Sequence, residues 1–117
     1  MGFRRAELIP SSNSGMVEST VGFKTLQISL SKDVQNPLNL SLKYQLVFLE
    51  SSDFSTNQVF PKTGTNLGSD ATVDPDTLQL FGNVDTKTAQ PVLLSNPFTE
   101  KAVHNFGVTT DYNANTI

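Results

Sequence analysis

The chain has 117 residues, no cysteine, one histidine and a net charge of −3. This length supports one core, and the missing cysteine removes disulfides and thiolate chemistry. Eight basic against eleven acidic residues argue against nucleic acid as the main partner, because phosphates must be neutralised by Lys and Arg.

Charged residues are 16% of the chain, against about 25% in ordinary soluble domains. Ser, Thr, Asn and Gln together make up 41 of the 117 residues. A surface of hydroxyls and amides is easier to desolvate than a charged one. It suits contact with neighbouring subunits or with sugars.

Residues 1–20 read as an extended arm. "IPSSNSGMVEST" is turn-forming and without period. "FRR" at Phe3, Arg4 and Arg5 could bind a phosphate or pair with acidic groups on a neighbour, the neighbour being favoured. No run approaches the ~20 apolar residues of a membrane helix. Ala6 stands where a myristoylation motif takes Ser or Thr. Neither membrane nor targeting is therefore expected.

A single β domain is expected over 21–110. Its first strand, "VGFKTLQISLS", puts Val21 and Phe23 on one parity and Leu26, Ile28 and Leu30 on the other, as a β-bulge near Lys24–Thr25 would. "KDVQNP" turns the chain. "LNLSLKYQLVF" then places Leu38, Leu40, Leu42, Tyr44, Leu46 and Phe48 at alternate positions. Read as one strand it is about 36 Å long, longer than a domain of this size needs. Leu42 is expected in the core, so that Leu42→Asp would unfold the chain. Val47 and Leu49 add a second apolar face, which predicts cover from another layer or another subunit.

Shorter pieces follow. "TNQVF" reads as a strand closed by Pro61, "TLQLF" as a strand, and Gly82-Asn83 as a tight turn. "NPFTEKAVHNFG" carries Asn96 and Pro97 as helix-start residues, with Phe98, Ala102 and Phe106 at i, i+4 and i+8. One short helix near 97–106 is therefore expected, a strand being the alternative. Residues 111–117 read as an extended polar tail. The whole is an all-β chain, an antiparallel β-sandwich or small barrel with an extended N-terminal arm.

The chemistry-bearing residues are few. His104 is the lone histidine, and no Gly-x-Ser-x-Gly elbow accompanies it, so it reads as a surface or helix-end residue. Asp70, Asp74 and Asp76 form a calcium candidate without EF-hand spacing. Asp53, Asp74, Asp76, Asp85 and Glu100 could supply a glycosidase pair. Nothing in their spacing places two across a cleft, and there is no tryptophan to stack on sugar. The chain therefore reads as a non-enzyme without cofactor.

A long strand with one charge, Lys43, between Leu38 and Val47 is an edge that calls for pairing. This build points to a structural subunit of a symmetric assembly, residing in a bacteriophage virion as a capsid, capsid-decoration or neck component. Its partners would be copies of itself or another virion structural protein. The expected interface is Phe3, Arg4, Arg5, Asn39, Ser41, Lys43, Gln45, Val47 and Leu49. The alternative is a secreted, extracellular β-sandwich binding module or adhesin domain recognising sugar or protein.

Overall fold

The computed structural model describes residues 4–9, 17–65, 74–83 and 92–117. Among these the chain is all-β with antiparallel sheets, and a single 3₁₀ turn, Val17–Thr20, is its helical element. The strands are β1 (Phe23–Leu30), β2 (Lys43–Gln45), β3 (Leu49–Glu50), β4 (Asn57–Gly64), β5 (Thr77–Phe81), β6 (Val92–Pro97) and β7 (His104–Asp111). β1 pairs with β7; the other sheet runs β2-β4-β5-β6, with β3 also on β4. Among the described residues no helix is long and apolar enough to cross a membrane.

The chain divides into two compact units, Met1–Thr25 with Val108–Ile117, and Leu26–Gly107. In the first, the Tyr112 N–H donates to the Gly22 carbonyl at 3.0 Å, and the Thr25 and Thr109 hydroxyls lie 2.9 Å apart. Residues 111–117 do not extend as expected. Asp111 and Thr116 bond each other's backbone, and the Asp111 carboxylate accepts the Asn113 and Ala114 N–H groups. A short side chain that captures nearby donors favours a turn. Arg4 is exposed, and Arg5 pairs with Glu7 of the same chain. Phe3 lies outside the described residues.

The second unit is organised by β4 and β5. Val59 to Thr63 and Leu78 to Phe81 are buried without a break, so both faces of these strands are covered. Register places Val59, Pro61, Thr63, Leu78 and Leu80 on one face. The even positions of β1 and β7 are the covered ones, with Leu26, Ile28, Leu30, His104 and Phe106 at least half-buried and their neighbours exposed. That alternation marks a sheet with one solvated face.

The expected strand over Leu38–Phe48 is not formed. The Asn39 side-chain oxygen accepts the Ser41 N–H at 3.1 Å and its hydroxyl at 2.7 Å, and the Leu42 N–H closes on the Asn39 carbonyl at 2.9 Å. An Asn side chain bonding its own backbone makes a turn, and here it outcompetes alternation. Leu42 is consequently 53% exposed rather than core.

The rest of the segment lies along β4 in pieces: Lys43↔Gly64 through Gln45↔Lys62, the Leu46 N–H on the Pro61 carbonyl at 3.0 Å, then Leu49↔Val59. One hydrogen-bonding side of this segment is thus taken by a strand of its own chain, and among the described residues β2 remains an end strand of the sheet.

Two further expectations change. β4 continues through Pro61 to Gly64 instead of stopping there. In an antiparallel ladder one residue's N–H and C=O point to the same neighbour, so the missing N–H of Pro61 faces the interrupted β2–β3 side and β5 loses no bond. The stretch 97–106 holds no helix. The Phe98 N–H bonds the Asp76 carbonyl at 2.9 Å, extending the β5–β6 pairing, and Lys101 turns the chain with φ 58°. The alternation His104-Phe106-Val108 then outweighs the i, i+4 spacing, these being the covered positions of an extended strand.

Gly64 sits at φ 83°, and a Cβ there would overlap the Leu42 carbonyl oxygen. Gly64→Ala should lose about 2 kcal/mol or more from strain and displacement of the β2 backbone. Leu42→Asp should cost under about 1 kcal/mol. Urea denaturation midpoints of the two variants, measured side by side, check both.

Candidate active site

The face of the sheet opposite Leu78 and Leu80 is polar. Gln45 stands opposite Lys62, Lys62 opposite Gln79, and Gln79 opposite Ser95, so that one polar row crosses β2, β4, β5 and β6. Next to it Phe60 stands opposite Phe81, their rings stacked at 5.3 Å and 15°. Beyond them the Asn83 amide donates to the Gln58 oxygen at 3.0 Å, and the Gln58 amide donates to the Thr56 hydroxyl at 3.0 Å. On the other side lies Lys43, opposite Gly64. The row is exposed at its ends, Gln45 and Ser95, and buried at its centre, Lys62 and Gln79.

Lys62 is the chemically unusual member. It is 4% exposed, and its ammonium lies 3.4 Å from the Phe81 ring centroid and 5.9 Å from that of Phe60. A cation over an aromatic face is attracted by the ring quadrupole, more so when desolvated. Burial, and then the charge of Lys43, lower its pKa from 10.5 to about 8. A desolvated cation with a shifted pKa among convergent amide groups is a marker of a functional surface.

Glu50 is the one carboxylate on a described strand of this sheet. It is half-buried and stands opposite Asn57 across a register irregularity. Asn57 Oδ1 is buried without a hydrogen-bond partner. An acceptor left without a donor is costly in a folded protein.

Asp53 belongs to the loop between β3 and β4. Its Oδ1 accepts the hydroxyls of Ser51 at 2.6 Å and Ser55 at 2.7 Å, together with the Ser55 N–H at 3.1 Å. These bonds pull its pKa from 3.8 down to about 2, which suits a permanently ionised group and not a proton donor.

The other residues singled out from sequence are dispersed. Asp76 pairs with Lys32, and Asp74 accepts the Asp76 N–H at 2.9 Å. Asp70 and Asp85 lie outside the described residues, and among those described no three His, Cys, Asp or Glu side chains gather to hold a metal. Glu100 is exposed in the β6–β7 turn. His104 sits edge-on to Phe98 at 5.3 Å and 3.3 Å from the Thr99 hydroxyl and carbonyl, a strand-end position.

Of the expected interface residues, Asn39 and Ser41 form the turn before β2. Lys43 and Gln45 lie on the polar face, and Val47 and Leu49 are half-buried along β4. Sequence reasoning passed over Glu50 and Lys62. The signal for Glu50 was a carboxylate ending "LVFLE", a stretch apolar on both faces.

The family model of the glycoside hydrolase 131 catalytic N-terminal domain matches residues 1–117. The chain belongs to this family. The search of curated proteins found no match. Membership overturns both functional expectations, the virion structural subunit and the secreted binding module, and with them the conclusion that the chain is not an enzyme. A glycoside hydrolase has no fixed motif spacing to betray it, because its carboxyl groups are brought together by the fold. The amide- and hydroxyl-rich composition, taken above for subunit contact, equally suits a saccharide partner.

In the fold Lys62 releases its proton near pH 8, and in the unfolded chain near 10.5. Between these values the unfolded state binds the extra proton, so this residue makes stability rise with pH from about 8 to 10.5. Lys62→Met removes the buried charge while keeping the stem. It should gain about 2 kcal/mol at pH 7 and abolish that rise. Urea denaturation at pH 7 and at pH 9.5 measures both effects.

Proposed function

We infer that this chain hydrolyses glycosidic bonds in a saccharide bound by the second unit. The observation that carries this reading is the match of a glycoside hydrolase catalytic domain across the whole chain. The face supports it with groups of the right kind. The side chains of Gln45 and Ser95, exposed at the ends of the polar row, suit hydroxyl-rich ligands. In such hydrolysis the glycosidic C–O bond breaks, a carboxylic acid protonates the leaving oxygen, and water gives its hydroxyl to the anomeric carbon and its remaining proton to a carboxylate.

Glu50 is the residue we assign to the proton-donor role. It is half-buried on a strand of this sheet and stands opposite Asn57, which shares the parity of Val59, so the saccharide would reach it from that side of β3 and not from the Lys62 row. Asp53 is unsuited to that role because its hydroxyl partners hold it ionised. Asp76 is committed to Lys32.

Glu50→Gln should lower kcat by about 10²-fold or more while leaving the thermal midpoint near that of the unchanged chain. The check is reducing-end release from glucans, mannan and xylan, with melting curves alongside. Full activity in a folded Glu50→Gln protein removes Glu50 from the role. No release from any polysaccharide by the unchanged chain removes the hydrolase reading.

A further inference from the structure

Phe54 stands at the tip of the loop between β3 and β4 with 78% of its surface exposed and φ at 58°. Left-handed backbone is disfavoured for a bulky side chain, and an aromatic ring in water forgoes its burial. Both penalties fall on one residue, and the loop is built to keep them. The Ser51 carbonyl accepts the Phe54 N–H at 2.9 Å, and the Ser51 N–H bonds the Thr56 carbonyl at 2.9 Å. The Ser51 hydroxyl accepts the Thr56 N–H at 3.1 Å and donates to Asp53, which also holds Ser55. Residues kept in sparsely populated backbone by surroundings that over-determine them cluster at ligand clamps. The loop also leads directly into the polar face, through Thr56 to Gln58 and Gln58 to Asn83.

We propose that Phe54 is a fixed stacking platform for one pyranose ring of the saccharide, the Asp53–Ser51–Ser55 network acting to hold it in place. The ring's negative face attracts the weakly positive C–H bonds on the flat face of a sugar. A platform already ordered loses little conformational freedom when the sugar arrives. The role rests on the saccharide-hydrolysing reading above, but it is a binding role, and it can be measured without hydrolysis.

The experiment compares the unchanged chain with Phe54→Ala, Phe54→Leu and Phe54→Trp, using cellohexaose, laminarihexaose, maltohexaose and mannohexaose as probes. Binding is followed by calorimetry, turnover by reducing ends, and folding by melting curves. For the hexasaccharide that the unchanged chain takes best, Phe54→Ala and Phe54→Leu should weaken binding or raise KM about five- to tenfold. Phe54→Trp should keep it within about twofold.

Equal loss in Ala and Leu points to the aromatic face and not to bulk. Should the Ala variant fail to fold, Leu decides the matter alone. Unchanged binding and KM in a folded Leu variant overturn the proposal and leave the hydrolase reading standing. Binding that depends on Phe54 without turnover overturns the hydrolase reading and keeps the platform. Neither binding nor turnover by the unchanged chain overturns both.

Discussion

The second unit depends on a ladder that is dry on both sides. β4 and β5 pair through Phe60↔Phe81, Pro61↔Leu80 and Lys62↔Gln79, and every one of these residues is buried. A strand covered on both faces has no solvated side to receive polar groups, so each one it carries must be matched locally. Thr63 meets this condition by donating to the Pro75 carbonyl at 3.3 Å. Lys62 meets it only in part, with aromatic rings in place of a counter-charge, and its lowered pKa reflects the shortfall. The absence of a side chain at Gly64 lets the backbone at Leu42 approach, so that the broken β2–β3 segment can be laid along the same ladder.

That constraint also shapes the polar face. Cross-strand pairing fixes the spacing of the backbone beneath the polar row, whose ends, Gln45 and Ser95, are exposed while Lys62 and Gln79 are buried at its centre.

The functional misreading has a physical origin. Metal sites and nucleophile elbows leave marks in sequence because their ligands cluster on one turn or loop. A glycosidase pair need not do so, as two carboxyls facing a sugar can come from any two elements. The acids that stood out by proximity, Asp74 and Asp76, are occupied in turn and ion-pair geometry. Glu50, unremarkable beside Ser51 and Ser52, occupies the strand. The low charge and high amide content were legible, and they were compatible with a sugar ligand as well as with a neighbouring subunit.

What the sequence determined by itself is what short-range chemistry controls. The period of two in "TLQLF" put Leu78 and Leu80 on one covered face, and Asp33 with Asn36 made the turn after β1. The turn residues between short alternating pieces fixed the all-β class. Only the tertiary structure decided that Leu38–Phe48 breaks at Asn39, that the helix-like spacing of Phe98, Ala102 and Phe106 yields to a strand, and that Gln45, Lys62, Gln79 and Ser95 form one row. Alternation states that a residue has a face, but not which strand will lie beside it. That choice depends on register between segments tens of residues apart, and it is settled by the burial available to the whole sheet.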